Sequence, residues 1–319
     1  MKAFLISFLN ILFFTILSCF LQISCTGPPP EIPPGPREVQ LGHDNYIRNV
    51  TYHVPKKLRK RRRSLVLCLH GGNETPESFG RITRRGFNKL SEYNNFIVAY
   101  PEALNNFWND AREDSVSLSH YDNIDDVGFI EKVVDYAIDS FSIDPARIFV
   151  AGLSDGGLMA MRLACEIPVR FKGFATVAAS LSLDQLVECK ADTAISLIAI
   201  NGTRDPILPY DGGQIIVDDE LKGSVLPIED AIEFWLKESQ CENKSVARDI
   251  PNTDTYDETR SERISYTNCK YGNKIVLVRV NNGGHTWPGG RQYEVQRNIG
   301  KTSKDFDASE EIWKFFKSL

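Results

Sequence analysis

The stretch "RIFVAGLSDGGLMAMRLACE" (residues 147–166) joins an apolar run to a run of helix-forming residues through a glycine-rich turn. The turn reads Gly-x-Ser-x-Gly, a pattern that is weak alone because both residue types are common. A strand before it and a helix after it are what a nucleophile elbow requires, and flanking glycines allow the tight turn that exposes a serine hydroxyl. We therefore predict Ser154 as a nucleophile; the alternative is a serine that only caps a helix.

Short apolar runs alternate with amphipathic segments along the rest of the chain. The runs are nearly continuous, which is typical of strands buried on both faces of a parallel sheet, and the segments between them have helical spacing. The strand candidates are residues 64–70, 96–101, 147–152, 174–179, 195–201 and 275–281, and the helix candidates are 125–141, 156–166, 227–239 and 307–319. This alternation predicts an α/β fold, with a mostly parallel sheet and helices on both faces.

A serine nucleophile needs backbone N–H groups that stabilise an oxyanion. The N–H of Asp155 lies at the start of the helix after the nucleophile, where negative charge is favoured. A second donor is expected from the loop after an early strand, and "LHGGN" (69–73) offers Gly72 and Asn73 there. The position of His70 at a strand end suits a residue that orients this loop better than a base.

The acid and the base should follow the nucleophile in the order acid, then histidine. Asp205 comes four residues after the strand candidate 195–201, and its competitor, Asp211, has the alternative of a turn residue before two glycines. His285, in "NNGGHTWPGG" (281–290), follows the last strand candidate. A carboxylate such as Asp205 would hold the imidazole in one tautomer and stabilise its protonated form.

Composition excludes one class of partner. With 42% hydrophobic and 25% charged residues the chain is ordinary for a globular protein, and its formal net charge of -5 argues against nucleic acid. The basic run "KKLRKRRR" (56–63) directly precedes an apolar strand, so we interpret it as a solvated connection. We see no internal repeat, and we expect a monomer.

The N-terminal sequence predicts export. Residues 1–25 have one early lysine and a long apolar run, as in a signal peptide, although a retained membrane anchor is the alternative. Cys19 and Cys25 each follow a serine, as at a lipoprotein cleavage site. Residues 26–38 are proline-rich and predict a linker, and residues 39–319 form the catalytic domain. The expected location is extracellular or periplasmic, either free or lipid-anchored.

The cysteines of the body fit an exported protein. Cys68 lies inside an apolar run and is expected to be a buried free thiol. The other four, Cys165, Cys189, Cys241 and Cys269, are consistent with two disulfides. Three pairings are open, and we favour neighbours in sequence because they close the shortest loops. The spacing does not resemble a zinc site, and neither a metal nor an organic cofactor is predicted.

The sequence resembles the extracellular polyhydroxybutyrate depolymerase and feruloyl esterase group of α/β-hydrolases. The resemblance rests on "LHGG", "FIVAYPE", "DDVGFI", "DPARIFVAGLSDGGLMAMRLACE", "NGTRDPILPYDGG" and "GGHTWPGG", which follow one another in the expected order. It implies a triad of Ser154, Asp205 and His285 and bonded body cysteines. Two residues depart from the family pattern, since Asn201 replaces a usual histidine and Asp155 a common asparagine.

The leading hypothesis is therefore a secreted serine esterase with an acyl-enzyme intermediate. Its substrate would be a feruloyl or acetyl ester of plant cell walls, or a hydroxyalkanoate oligomer. An acyltransferase with the same triad and a non-catalytic binding protein on the same scaffold are the alternatives. Trp108 and Trp287 are candidates to line the acyl or aryl pocket, with buried packing as the competing interpretation.

Overall fold

The computed structural model describes residues 32–59, 63–112, 118–189, 194–242 and 245–319. The predicted leader, with Cys19 and Cys25, lies outside these residues, as do positions 26–31 of the proline-rich segment. Residues 33–319 form one compact unit. Residues 35–38, which we predicted as linker, instead belong to the sheet, because they pair with the strand that follows.

The strands and helices alternate through the central part of the chain. In chain order the strands are β1 (Gly35–His43), β2 (Tyr46–Val54), β3 (Arg63–Leu69), β4 (Phe96–Pro101), β5 (Ile143–Leu153), β6 (Gly173–Val177), β7 (Leu197–Gly202), β8 (Gly213–Val217), β9 (Glu220–Val225), β10 (Ser245–Ile250), β11 (Arg260–Tyr266) and β12 (Ile275–Asn281). The helices are α1 (Pro76–Ile82), α2 (Gly86–Ser91), α3 (Leu118–Tyr121), α4 (Asp126–Phe141), α5 (Asp155–Glu166), α6 (Leu183–Glu188), α7 (Ile228–Glu238), α8 (Gln296–Ile299) and α9 (Ala308–Lys317).

One ten-stranded sheet organises the molecule, in the order β1-β2-β4-β3-β5-β6-β7-β12-β11-β10. The six strands from β4 to β12 in this order are parallel. Antiparallel pairs extend both edges, β1–β2 on one side and β11–β10 on the other. The predicted α/β fold with its mostly parallel sheet is confirmed.

Burial explains why the central strands have continuous apolar runs. On β3, Val66 and Cys68 belong to an apolar cluster with residues of α1, α2 and α9. The alternate residues Leu65 and Leu67 are also fully buried, so both faces of the strand are covered. Cys68 is the buried free thiol that we predicted.

Two disulfides join the predicted cysteine neighbours, Cys165 with Cys189 and Cys241 with Cys269. The first links the end of α5 to the residue after α6. The second brackets β10 and β11, a polar region whose strands our sequence patterns did not predict. In the part of the chain that the structure describes, we find no helix of sufficient length and apolarity to cross a membrane.

Candidate active site

Ser154 lies at a sharp turn between β5 and α5. Its backbone has φ 53° and ψ -120°, a conformation that costs a residue other than glycine about 1–3 kcal/mol. Close packing holds it there. A Cβ added to Gly152 would lie 2.0 Å from the Gly156 carbonyl oxygen, and one on Gly156 would lie 2.3 Å from that of Leu69. The Ser154 N–H donates to the Val177 oxygen at 2.9 Å. Ser154 is partly exposed between buried neighbours, as an elbow serine should be.

Asp205 and His285 form a buried hydrogen-bonded pair. Their Oδ2 and Nδ1 atoms are 2.8 Å apart, and only 8% of Asp205 and 3% of His285 are exposed. The other carboxylate oxygen, Oδ1, accepts from the N–H groups of Ile207 and Leu208, both at 2.8 Å, which fixes its orientation. Since a carboxylate can only accept a hydrogen bond, the His285 ring carries its proton on Nδ1. The lone pair of Nε2 is therefore free to accept a proton.

The loop after β12 is held by its own contacts. The His285 N–H donates to the Ile299 oxygen at 2.6 Å, and the Tyr293 hydroxyl donates to the His285 oxygen at 2.9 Å. A Cβ added to Gly202 would lie 2.4 Å from the Gly283 oxygen. Glycine is therefore needed at the end of β7 because two backbones meet there, one leading to Asp205 and the other to His285.

The topology places the three predicted triad residues at the carboxyl ends of the parallel strands. Ser154 follows β5, Asp205 follows β7 and His285 follows β12, and these strands are parallel. The carboxyl ends of parallel strands are where open α/β sheets bind their ligands. The other four histidines have different hydrogen-bond partners: Asp125 for His43, Glu92 for His53, Ala103 N–H for His70 and Asp110 for His120.

The loop after β3 is arranged around His70. Its Nε2 accepts from the Ala103 N–H at 3.1 Å, so its Nδ1 is the donor to the Gly71 oxygen at 2.8 Å. Burial lowers the pKa of His70 to about 4, which keeps the ring neutral. The Gly71 C=O and the Gly72 N–H belong to one trans peptide and point in opposite directions. His70 therefore sets the direction of the Gly72 N–H, in the scaffold role that we predicted.

The comparisons with known proteins agree with this arrangement. A family model described as Phospholipase/Carboxylesterase matches residues 54–218. The chain belongs to this family. The esterase is 28% identical over 254 residues to "Putative esterase NocK" of Nocardia uniformis, covering 78% of this chain and 72% of the relative. It is 23% identical over 274 residues to feruloyl esterase D of Neurospora crassa, covering 86% of this chain and 78% of the relative.

Two further similar proteins are named acetylxylan esterase, one from the sequence comparison and one from the solved structures. Acetylxylan esterase of Coprinopsis cinerea is 29% identical over 197 residues, which cover 60% of this chain. The match spans less than half of that relative, 48% of its length. The solved structure of acetyl xylan esterase from Aspergillus awamori has 15% identity and a TM-score of 0.55, and it covers 89% of this chain and all of its own. This likeness shows the shared α/β-hydrolase fold of the esterase.

The loop after β3 has fewer free backbone N–H groups than the sequence suggested. The Asn73 N–H donates to the Asn106 oxygen at 2.9 Å, so it is not available to an oxyanion. Among the described residues, the N–H groups of Gly72 and Asp155 meet no acceptor. The two residues adjoin, because a Cβ added to Gly72 would lie 3.6 Å from Asp155 Cβ. Asn73 therefore drops out of the predicted donor set, and the other two stay in it.

The prediction that Trp108 and Trp287 line the substrate pocket is wrong, since both are fully buried. Trp108 donates its indole N–H to the His70 oxygen at 3.0 Å and so supports the loop from behind. Trp287 lies in the core, edge-on to Phe79 with ring centroids 5.5 Å apart. Both indole rings therefore have their contacts inside the protein, and sequence patterns do not reveal such contacts.

Two aromatic residues that we did not predict lie closer to the exposed part of the site. A Cβ added to Gly72 would lie 2.9 Å from Phe107 Cε1, so the Phe107 ring covers Gly72, and it is partly exposed. Tyr293 is 36% exposed and holds the His285 loop.

Asp155, one of the departures from the family pattern, has a buried partner for each of its two carboxyl oxygens. Its Oδ2 accepts from the Trp108 N–H at 2.8 Å, and its Oδ1 lies 2.6 Å from the Arg112 guanidinium. Arg112 also binds Asp110 at 2.7 Å. Burial and the neighbouring Asp110 raise the pKa of Asp155 well above its usual value. Burial also disfavours the Asp110 anion, but Arg112 and His120 outweigh it and lower the pKa of Asp110.

Metal ligands are not clustered in the described residues. No group of three or more His, Cys, Asp or Glu side chains there could hold a metal ion.

Proposed function

We propose that this esterase is an exported serine hydrolase that uses Ser154, Asp205 and His285 as its triad. The observation that carries the proposal is the buried Asp205–His285 pair at the same sheet edge as a strained, partly exposed serine. The Gly72 and Asp155 N–H groups are the proposed oxyanion donors, since the two residues adjoin and neither N–H meets an acceptor within the described part of the chain. Each element of acyl-transfer chemistry thus has a candidate residue.

The reaction follows from the tautomer of His285. Nε2 takes the proton from the Ser154 hydroxyl as the oxygen attacks the ester carbonyl, and the carbonyl oxygen becomes an anion facing the two N–H groups. Collapse of this intermediate breaks the ester C–O bond, and His285 returns the proton to the leaving alcohol. A water molecule then attacks the acyl-serine by the same route and releases the acid.

Esters of plant cell-wall polysaccharides, feruloyl or acetyl, are the proposed substrates. Support comes from relatives named feruloyl esterase and acetylxylan esterase. Within the site, the partly exposed Phe107 ring beside Gly72 offers an apolar wall next to the proposed oxyanion position. A substrate panel of methyl ferulate, acetylated xylan, short p-nitrophenyl esters and hydroxybutyrate oligomers tests this. Higher kcat/KM on hydroxybutyrate oligomers than on either cell-wall ester would contradict the proposed substrate class.

Export is proposed from two features that favour an oxidising compartment. These are the signal-like residues 1–25 and the disulfides Cys165–Cys189 and Cys241–Cys269. The N-terminal sequence of the mature protein, together with mass spectrometry for a lipid on Cys19 or Cys25, distinguishes a cleaved peptide from a lipoprotein. A mature protein that retains Met1 and is found inside the cell would contradict export.

Replacing the nucleophile tests the triad directly. Ser154→Ala should lower kcat for ester hydrolysis by about 10⁴-fold or more, because a triad without its nucleophile retains little catalysis. Ser245→Ala, on exposed β10, is the matched control and should keep the wild-type rate. Unchanged hydrolysis by Ser154→Ala would show that this serine is not the nucleophile.

Two measurements separate the alternatives. A fluorophosphonate probe should label Ser154, whereas a non-catalytic binding protein would not react. Product analysis with an added alcohol acceptor should yield mainly the free acid. Transfer of the acyl group to the alcohol in preference to water would instead identify an acyltransferase.

A further inference from the structure

Glu74 closes the loop that carries the proposed oxyanion donor Gly72. Its own N–H donates to the Gly71 oxygen at 3.2 Å, and its Oε2 accepts from the Gly71 N–H at 3.2 Å. A Cβ added to Gly71 would lie 3.2 Å from Glu74 Cδ, so the carboxyl group lies against this glycine. Since Gly71 precedes Gly72 directly, the hydrogen bond from Glu74 limits how the donor peptide can turn.

The same carboxyl group interacts with the loop that carries His285. It lies within electrostatic range of the His285 and Tyr293 side chains, both from the segment after β12. The Tyr293 hydroxyl holds the backbone of His285, and desolvation of this hydroxyl raises the pKa of the phenol, so it stays neutral. Glu74 therefore contacts the loop of the oxyanion donor and acts electrostatically on the loop of the base.

Burial raises the pKa of Glu74 to about 7, although the Gly71 N–H and His285 act in the opposite direction. The carboxyl group consequently changes its charge in the pH range where a histidine base must be neutral to act. A negative charge beside the imidazole favours its protonated form, which arises only while the serine attacks.

We propose that Glu74 is a positioning residue of the esterase with two tasks. Its carboxyl group holds the Gly71–Gly72 peptide in place for the oxyanion, and its negative charge stabilises the protonated His285 of the transition state. The inference rests on the proposed triad. It adds a fourth side chain whose charge acts on the base of the same site.

Three variants separate these tasks. Glu74→Gln keeps an acceptor for the Gly71 N–H but removes the charge, so kcat should fall by about three- to tenfold and the acid limb of the kcat/KM profile should move to lower pH. Glu74→Ala removes both, and kcat should fall by about 10–100-fold with KM changed less than about twofold, since these interactions act in the transition state. Glu77→Gln is the matched control, because its carboxylate is 62% exposed on α1, and it should behave as wild type.

The outcomes are decisive. If Glu74→Gln keeps the wild-type kcat or the wild-type position of the acid limb of kcat/KM, or if Glu74→Ala raises KM and leaves kcat unchanged, the inference is overturned. Circular dichroism confirms that each variant is folded, and Glu74→Gln tests the charge even if Glu74→Ala does not fold. Labelling of the wild type with a fluorophosphonate separates the two proposals. If Ser154 is not labelled, the proposed triad is wrong. If Ser154 is labelled and the Glu74 variants behave as wild type, only the role of Glu74 is rejected.

Discussion

At Ser154, the backbone conformation that presents the hydroxyl also weakens the fold. A positive φ of 53° is one that glycine adopts without strain and other residues do not. The surrounding packing, with Gly152 against Gly156, has to hold the serine in place. Natural selection for the nucleophile is thus expected to oppose selection for stability at this one residue.

The comparison of two inactive variants isolates this strain. Ser154→Gly and Ser154→Ala both lack the hydroxyl, but only glycine relieves the positive φ. We expect Ser154→Gly to have the larger free energy of unfolding, by about 1 kcal/mol. Urea unfolding of the two proteins measures the difference. A more stable alanine variant would mean that the elbow is not strained.

His70 should make stability depend on pH. Its pKa is about 4 in the folded protein and near its usual 6.5 in the unfolded chain, so the unfolded chain binds more protons between these values. This contribution is therefore fully present above pH 6.5 and is lost as the pH falls toward 4, by on the order of 3 kcal/mol. In His70→Gln that component is absent. Between pH 7 and pH 4.5, the free energy of unfolding should decrease less for His70→Gln than for the wild type. Equal decreases in the two proteins would contradict the assignment.

At the scale of elements, Arg112 joins three parts of the molecule. Its guanidinium binds Asp155 at the start of α5 and Asp110 in the loop after β4, and donates to the Lys222 oxygen in β9 at 2.9 Å. The side chains are buried, so water screens these charges little. The network ties the nucleophile helix to the hairpin of β8 and β9.

Removing the cation should expose the cost of the two buried acids. We expect Arg112→Met to lower the free energy of unfolding by about 3–5 kcal/mol, because Asp110 and Asp155 are left without their common partner. Asp155→Asn retains an acceptor for the Trp108 N–H, so it should cost less than about 1.5 kcal/mol alone and recover part of the loss when combined with Arg112→Met. Denaturant unfolding of the wild type, the two single variants and the double variant gives the double-mutant cycle. Additive effects would show that the two residues are not coupled.

For the whole molecule, the disulfides connect the site to distant elements. Cys165 lies in the last turn of α5, the helix that begins directly after Ser154, and its partner Cys189 lies 24 residues further on. Replacing both by alanine should lower the free energy of unfolding by about 2–4 kcal/mol, since the unfolded chain gains freedom. At 25 °C the folded variant should keep wild-type kcat. Cys68→Ala, which removes a buried thiol but no cross-link, is the control. If the double variant loses no more free energy of unfolding than Cys68→Ala does, the prediction is contradicted.

How much of this fold can be predicted from the sequence depends on whether an element is constrained by its own residues or by contacts with distant segments. Strands such as β3 and β7 are buried on both faces, so their continuous apolar runs identify them. The edge strand β10 is exposed along nearly its whole length, and therefore it has no apolar pattern to detect. Asp205 and His285 could be predicted because each follows a predicted strand in the expected order.

Other parts of the site depend on contacts between distant segments. The burial of Trp108 beside His70 and of Trp287 beside Phe79 arises from tertiary packing. The Asn106 oxygen that occupies the Asn73 N–H comes from a separate loop. No local pattern indicates these partners, so the pocket-lining prediction for the two tryptophans and the donor prediction for Asn73 failed there.

The antiparallel ends of the sheet bear on how copies of the protein meet at high concentration. An outer strand with free backbone groups can pair with the same strand of another molecule and begin aggregation. Here β1 has Pro36 and charged neighbours, and β10 presents Arg248 and Asp249, which are exposed. Proline and charges oppose such edge-to-edge pairing. Among the described residues, the sheet therefore ends at both sides in strands whose proline and charged side chains oppose pairing with a neighbouring molecule.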